Sequence, residues 1–180
     1  MTPRISPIEN PKTLMAKVIF YFIKRDLGKV ITPAKVIYAR YPGIGLAVKK
    51  IYDVEKDFKY INEGTRFLIQ NFVATLNGCT FCMDISKRKS VDKNIGMDKF
   101  YDLWNYSTSN KYTDREKAIF HFVEEMTKHI TVSDDNYEEL KTHCSDEEII
   151  EIVYTASSEN FLNRLIKPLN IGSDELCEIR

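Results

Sequence analysis

The sequence predicts an all-α fold, and three observations carry that prediction. Apolar residues recur at three- and four-residue spacing along most of the chain. Two stretches, Thr113-Asp114-Arg115-Glu116 and Ser145-Asp146-Glu147-Glu148, are capping boxes, in which a hydroxyl and a carboxylate satisfy the free N–H groups of a new helix. No period-2 apolar run is paired with a hairpin dipeptide, so nothing argues for a strand. At 180 residues, 43% apolar and 29% charged, the chain can bury a core as one domain spanning residues 1–180.

In order, Asn10 as cap and Pro11 as first helical residue predict a helix with Leu14, Val18, Ile19, Phe22 and Ile23 on its inner side. Lys17, Lys24, Arg25 and Asp26 make it too charged to span a bilayer. Thr32-Pro33 opens a short element through Ile37 and Tyr38, ended by Pro42-Gly43. From Gly45, the spacing of Ala47, Ile51, Val54 and Phe58 predicts an amphipathic helix. Residues 63–76 are apolar over much of their surface, as in a buried helix. The next helix runs to about Val91, and Gly96 marks a break. Met97 to Tyr106 reads as a short aromatic helix carrying Trp104, and 107–111 as a polar loop. Helices then follow Thr113, span 133–143, and follow Ser145 as far as Pro168.

The chemistry concentrates at Leu76-Asn77-Gly78-Cys79-Thr80-Phe81-Cys82-Met83-Asp84. An Asn-Gly breaker followed by two cysteines three apart reads as a loop turning into a helix, with both sulfurs in the first turn. The free N–H groups and the helix dipole there favour a thiolate. Positions i and i+3 share a face, close enough for a disulfide. Redox dithiol, half of a zinc site and two small buried residues are the three readings. Zinc needs two more ligands, and the adjacent pair His143-Cys144 would chelate one ion awkwardly. Cys144 and Cys177 carry no motif, and Cys177 is expected in a frayed tail.

Other features read as structural. His121 should face solvent, while His129 and His143 fall at helix C-terminal ends. Pro42-Gly43-Ile44-Gly45 lacks the third glycine and the preceding strand of a dinucleotide loop. Lys87-Arg88-Lys89 reads as a solvated helix face, and Asn160, Asn163 and Arg164 as structural hydrogen-bonding residues. With 26 basic and 26 acidic residues, the formal charge of zero gives no argument for nucleic acid or an anionic membrane. No secretory signal is evident, and a CxxC with so few cysteines suits a cytoplasmic protein. No cofactor or metal is expected.

These residues resemble the carboxymuconolactone decarboxylase-like family, specifically its alkylhydroperoxidase D (AhpD)-like branch. The resemblance rests on the buried helix running into Cys79-Thr80-Phe81-Cys82 and on Tyr41-Pro42-Gly43 upstream. Downstream it rests on the two capping boxes and on Asn160-Phe161-Leu162-Asn163-Arg164-Leu165. It implies an AhpD-like helical domain with an N-terminal helical extension of about residues 1–40, assembled as a homo-oligomer, trimer or hexamer. Carried over, Cys82 is peroxidatic and Cys79 resolving, acting on a peroxide or disulfide. An external lipoyl or thioredoxin-like dithiol then reduces the pair. The family's proton relay is a Glu twelve residues before the first Cys and a His four after the second; here those positions hold Phe67 and Ser86. Asp84, Ser86 and Glu63 are the candidates for proton transfer or polar support in its place. The rival readings are a carboxymuconolactone-type decarboxylase, which needs no dithiol, and a non-enzymatic redox sensor or oligomeric protein.

Overall fold

The computed structural model describes residues 2–93 and 97–178. It contains α1 (Leu14–Leu27), α2 (Pro42–Glu55), α3 (Glu63–Leu76), α4 (Thr80–Asp92), α5 (Asp114–His129), α6 (Asp134–Lys141) and α7 (Asp146–Ile166). Among the described residues there is no strand, and no helix is long and apolar enough to cross a membrane. The all-α prediction therefore holds.

The central element is α3. Every residue from Thr65 to Ala74 is buried, because α4, α5 and α7 surround it. One core lies between α3, α5 and α7, where Phe72, Tyr106, Tyr112 and Phe120 meet edge to face. A second core forms beside it from Phe20, Ile31, Val36, Tyr38, Leu162, Ile166 and Leu176, and it encloses both Cys79 and Cys82. Both capping boxes form as predicted, with Thr113 accepting from Glu116 N and Ser145 from Glu148 N.

Several local expectations are corrected. Thr13, not Asn10, caps α1, whose inner side is Ala16, Ile19, Phe20 and Ile23; Leu14, Val18 and Phe22 are exposed. Pro42 opens α2 rather than ending the preceding element, since its fixed φ suits a first helical turn. That preceding element closes as a wide turn, with Ala39 N donating to Ala34 O at 2.8 Å. The inner side of α2 is Ile44, Val48, Tyr52 and Glu55, and Ala47 is exposed, so its face is turned from the one read off the apolar pattern. Residues 97–106 form turns and one short tight helix, Leu103–Asn105, with Trp104 exposed. The break at Gly96 lies outside the described residues.

Candidate functional site

The dithiol sits where α3 stops and α4 starts. Asn77 is the last residue of the α3 cap, and Gly78 follows at φ +64°, the left-handed region that glycine enters without a Cβ penalty. Gly78 N donates to Thr75 O (3.0 Å) and Cys79 N to Ala74 O (2.8 Å), the two bonds of a Schellman motif. The same Cys79 is the N-cap of α4, and its carbonyl accepts from Met83 N at 3.0 Å. One residue thus closes one helix and opens the next, which puts Cys82 in the first turn of α4. Cys79 and Cys82 are disulfide-bonded, with Cα atoms 5.3 Å apart.

Both cysteines are enclosed, Cys79 being 1% exposed and Cys82 3%. Two effects oppose each other there. The α4 N-terminus favours a thiolate, while the apolar walls of Tyr38, Phe81, Leu162 and Leu176 disfavour it. The enclosure also means that any reactant larger than a few atoms needs local movement to reach sulfur.

The proposed helpers separate on inspection. The Ser86 hydroxyl donates to Met83 O (3.0 Å) and accepts from Asn71 Nδ2 (2.7 Å), so its bonds tie α4 to α3. Glu63 is the first residue of α3, at the end of that helix remote from the dithiol, and pairs there with Arg66 and Lys93. Asp84 is committed to the C-terminal segment. Its Oδ2 accepts from Ser173 Oγ (2.8 Å), Asp174 N (3.1 Å) and Leu176 N (3.0 Å), and its Oδ1 from Cys177 N (3.2 Å). The expected frayed tail is therefore tied down, and Cys177 Sγ reaches Asp84 O at 3.6 Å. Thr32 and Lys29 hold Asp174 from the other side. Phe67 packs into the first core, beneath the Arg66 guanidinium. Cys144 also lies in that first core, away from the dithiol, and burial pushes its thiol up.

No protein-family model matches the chain. The uncharacterised protein YdfG of Bacillus subtilis (strain 168) is 29% identical over 126 residues, covering 66% of this chain and 83% of YdfG. The debrominase Bmp8, solved as a Cys→Ala variant with 2,3,4-tribromopyrrole, superposes with a TM-score of 0.82 at 17% identity, covering 99% of this chain and 95% of Bmp8. A protein of unknown function from Agrobacterium tumefaciens, ATU0492, assigned to AhpD-type antioxidant defence, superposes with a TM-score of 0.71 at 26% identity. That match covers 77% of this chain and 96% of ATU0492. The chain has the fold of the AhpD-like proteins.

In this AhpD-like fold the ionisable groups buried near α4 are ones that sequence reasoning missed. Glu55 on α2 accepts from Gln70 Nε2 (2.8 Å) and Ser158 Oγ (3.1 Å), and its backbone carbonyl accepts from Arg66 Nη1 (2.6 Å). Glu159 on α7 accepts from Asn163 Nδ2 at 2.5 Å. Lys89 on α4, expected on a solvated face, turns inward, its ammonium 3.5 Å from the Tyr52 ring centre. Burial pushes the Glu159 carboxyl up to about 8 and raises that of Glu55. Burial also lowers the Lys89 ammonium to about 8, against the pull of Glu55 and Glu159. The signal was present on α7, where Glu151, Thr155, Ser158, Glu159 and Asn163 form a polar stripe at helical spacing, all of it buried. Asn160 and Asn163 are structural hydrogen-bonding residues as expected: Asn77 Nδ2 donates to Asn160 Oδ1 and Asn163 Oδ1, both at 3.0 Å.

Proposed function

We propose that this protein is a thiol–disulfide oxidoreductase of the peroxidase type, with Cys82 as peroxidatic and Cys79 as resolving cysteine. The observation that supports the reading is the disulfide held between the α3 cap and the first turn of α4 in an AhpD-like fold. In the reductive direction, the Cys82 thiolate attacks the peroxide O–O bond. It takes one oxygen as sulfenic acid, and the leaving alkoxide takes a proton to become an alcohol. The Cys79 thiol then displaces hydroxide from that sulfur, giving the disulfide and, with one proton, water. An external dithiol such as a lipoyl or thioredoxin-like group returns two electrons and two protons. With Phe67 and Ser86 at the relay positions, no side chain supplies general acid–base help there. Since such help is typically worth about 10²–10⁴-fold, turnover is expected to be slow by that order.

The enzyme is expected to work as a cytoplasmic homo-oligomer, and the exposed apolar residues of α1, among them Leu14, Val18, Tyr21 and Phe22, are suited to association. Because Bmp8 shares the fold over the same length, halogenated pyrroles belong in the substrate panel beside peroxides. There a dithiol would be oxidised to the disulfide as C–Br becomes C–H with release of bromide. The test is turnover of hydrogen and cumene peroxide with dihydrolipoamide or dithiothreitol by the wild type and by Cys82→Ser. Loss of at least about 99% of activity in the variant is expected, since the attacking sulfur is gone. Unchanged turnover in Cys82→Ser sinks the reading, and activity toward a lactone that survives iodoacetamide would favour the decarboxylase instead.

A further inference from the structure

Beside the dithiol, on the side of Cys79, lies a cleft of about 180 Å³ lined by Asn77, Asn163, Arg164, Lys167 and Pro168. Two of its walls are cationic, and among the described residues both cations bond only to neutral oxygens. Arg164 Nη1 donates to Asn160 O (3.1 Å) and Asn160 Oδ1 (2.5 Å), and Lys167 Nζ donates to Gly78 O (2.6 Å). Among the described residues no carboxylate pairs with either. Arg164 has further N–H groups and Lys167 two further ammonium protons, all donors suited to an anion. Asn163 of the cleft donates to the buried Glu159, whose carboxyl, raised to about 8, is mostly protonated at neutral pH and does not cancel the two charges. The cleft is also fixed to the site. Lys167 clamps the carbonyl of Gly78, the residue before Cys79, and Asn77 ends the helix that delivers it.

We infer that this cleft is a carboxylate-binding subsite for the small thiol that reduces the Cys79–Cys82 disulfide. The inference rests on the oxidoreductase reading and names the reductant class for it. The reductant's carboxylate docks between Arg164 and Lys167, and its thiolate attacks Cys79 Sγ. A bond from the reductant's sulfur to Cys79 forms, the Cys79–Cys82 bond breaks, and Cys82 leaves as a thiolate at the α4 N-terminus. The reductant's second thiol then displaces Cys79. The reductant ends as a cyclic disulfide, and the protein has gained two electrons and two protons.

The test compares dihydrolipoate with dihydrolipoamide, two dithiols that differ in the carboxylate. The rate of appearance of protein thiols is followed in wild type, Arg164→Gln and Arg164→Gln/Lys167→Gln. In low salt the wild type is expected to prefer dihydrolipoate by about tenfold, as two cations at the surface can provide, with the preference shrinking as salt is raised. The ratio should fall in Arg164→Gln and approach one in the double variant. Using the ratio within each protein corrects for any general loss of folding, and the single variant leaves the Gly78 clamp in place. Equal rates in the wild type, or a preference that survives the double substitution, overturns the subsite. If neither dithiol reduces the disulfide in any form, the oxidoreductase reading itself falls, and the subsite with it.

Discussion

Replacing Asp84 with alanine tests how the C-terminal segment is held over the dithiol core. The carboxylate accepts from three backbone N–H groups, of Asp174, Leu176 and Cys177, and from the Ser173 hydroxyl. Left in place without an acceptor, each buried N–H would cost roughly 1–3 kcal/mol. Peeling residues 173–178 into water avoids that cost but exposes Leu176, now 1% exposed, whose burial is worth about 1.5–3 kcal/mol. The cheaper route sets the loss, so Asp84→Ala should destabilise the protein by about 1.5–3 kcal/mol. With a urea slope of roughly 2 kcal/mol/M, the midpoint should drop by about 0.8–1.5 M. Asp84→Asn keeps one acceptor oxygen and should lose roughly half as much. Hydrogen exchange locates the effect: the amides of Asp174, Leu176 and Cys177 should lose protection before the rest of the chain. A midpoint unchanged within error, with those three amides still protected, would refute the tether.

Two further perturbations probe the buried charges. Glu159 has a folded-state pKa of about 8 against an ordinary 4.5, so between those values the native state holds the extra proton and stability falls as pH rises. Glu159→Gln should flatten that decline, which amounts to a few kcal/mol across pH 5–8, in urea titrations at several pH values; an unaltered slope would show that Glu159 is not its source. The facing groups Tyr52 and Glu55 on α2, Arg66 on α3 and Lys89 on α4 stay in place in that variant, so a change in slope reports on Glu159. Lys89 lies two turns beyond Cys82 on the same side of α4, about 10 Å away by helix rise. At an effective dielectric of about 20, a charge at that distance favours a thiolate by roughly 1–2 kcal/mol, about one pKa unit. Lys89→Met should therefore raise the Cys82 thiol pKa by about one unit in the pH dependence of iodoacetamide alkylation of the reduced protein, and no shift would remove Lys89 from the electrostatics of the site.

What the sequence made legible was local. The two capping boxes, the run of α3 from Glu63 to Leu76 and the glycine turn into Cys79 depend on residues within a few positions of one another, and each formed as read. What it hid was long-range. Asp84 meets its partners 89 to 93 residues away, and Glu55 meets Ser158 across 103 residues, so neither had a local signature. The same cause explains the turned face of α2. A reading by apolar spacing assigns Glu55 to solvent, but Gln70, Ser158 and Arg66 give its carboxylate and carbonyl partners inside, and burial follows the partners. Lys89 was misplaced likewise, since nothing in Lys87-Arg88-Lys89 tells which of the three meets an aromatic ring.

The long-range pattern bears on how a dithiol can work without the usual relay. A carboxylate at position 67 would point into the apolar core, where Phe67 now packs with Ile61 and Leu68. Burial there would keep it protonated and of little use as a base. Away from position 67, this chain buries Glu55 on α2 and Glu159 on α7, both facing Lys89 on the side of α4 that also carries Cys82 and Ser86. From about 10 Å, Lys89 is too far to pass a proton directly to sulfur, since transfer needs hydrogen-bond reach, yet near enough to bias its charge. The arrangement thus favours formation of the thiolate over protonation of the leaving group. A poor leaving group, such as the alkoxide of an unactivated peroxide, depends on that missing proton. A thiolate leaving from a disulfide does not, because it departs readily as the anion at the N-terminus of α4. On the proposed reading, the same geometry would slow peroxide cleavage and spare thiol–disulfide exchange, the step that the Arg164–Lys167 cleft is inferred to serve.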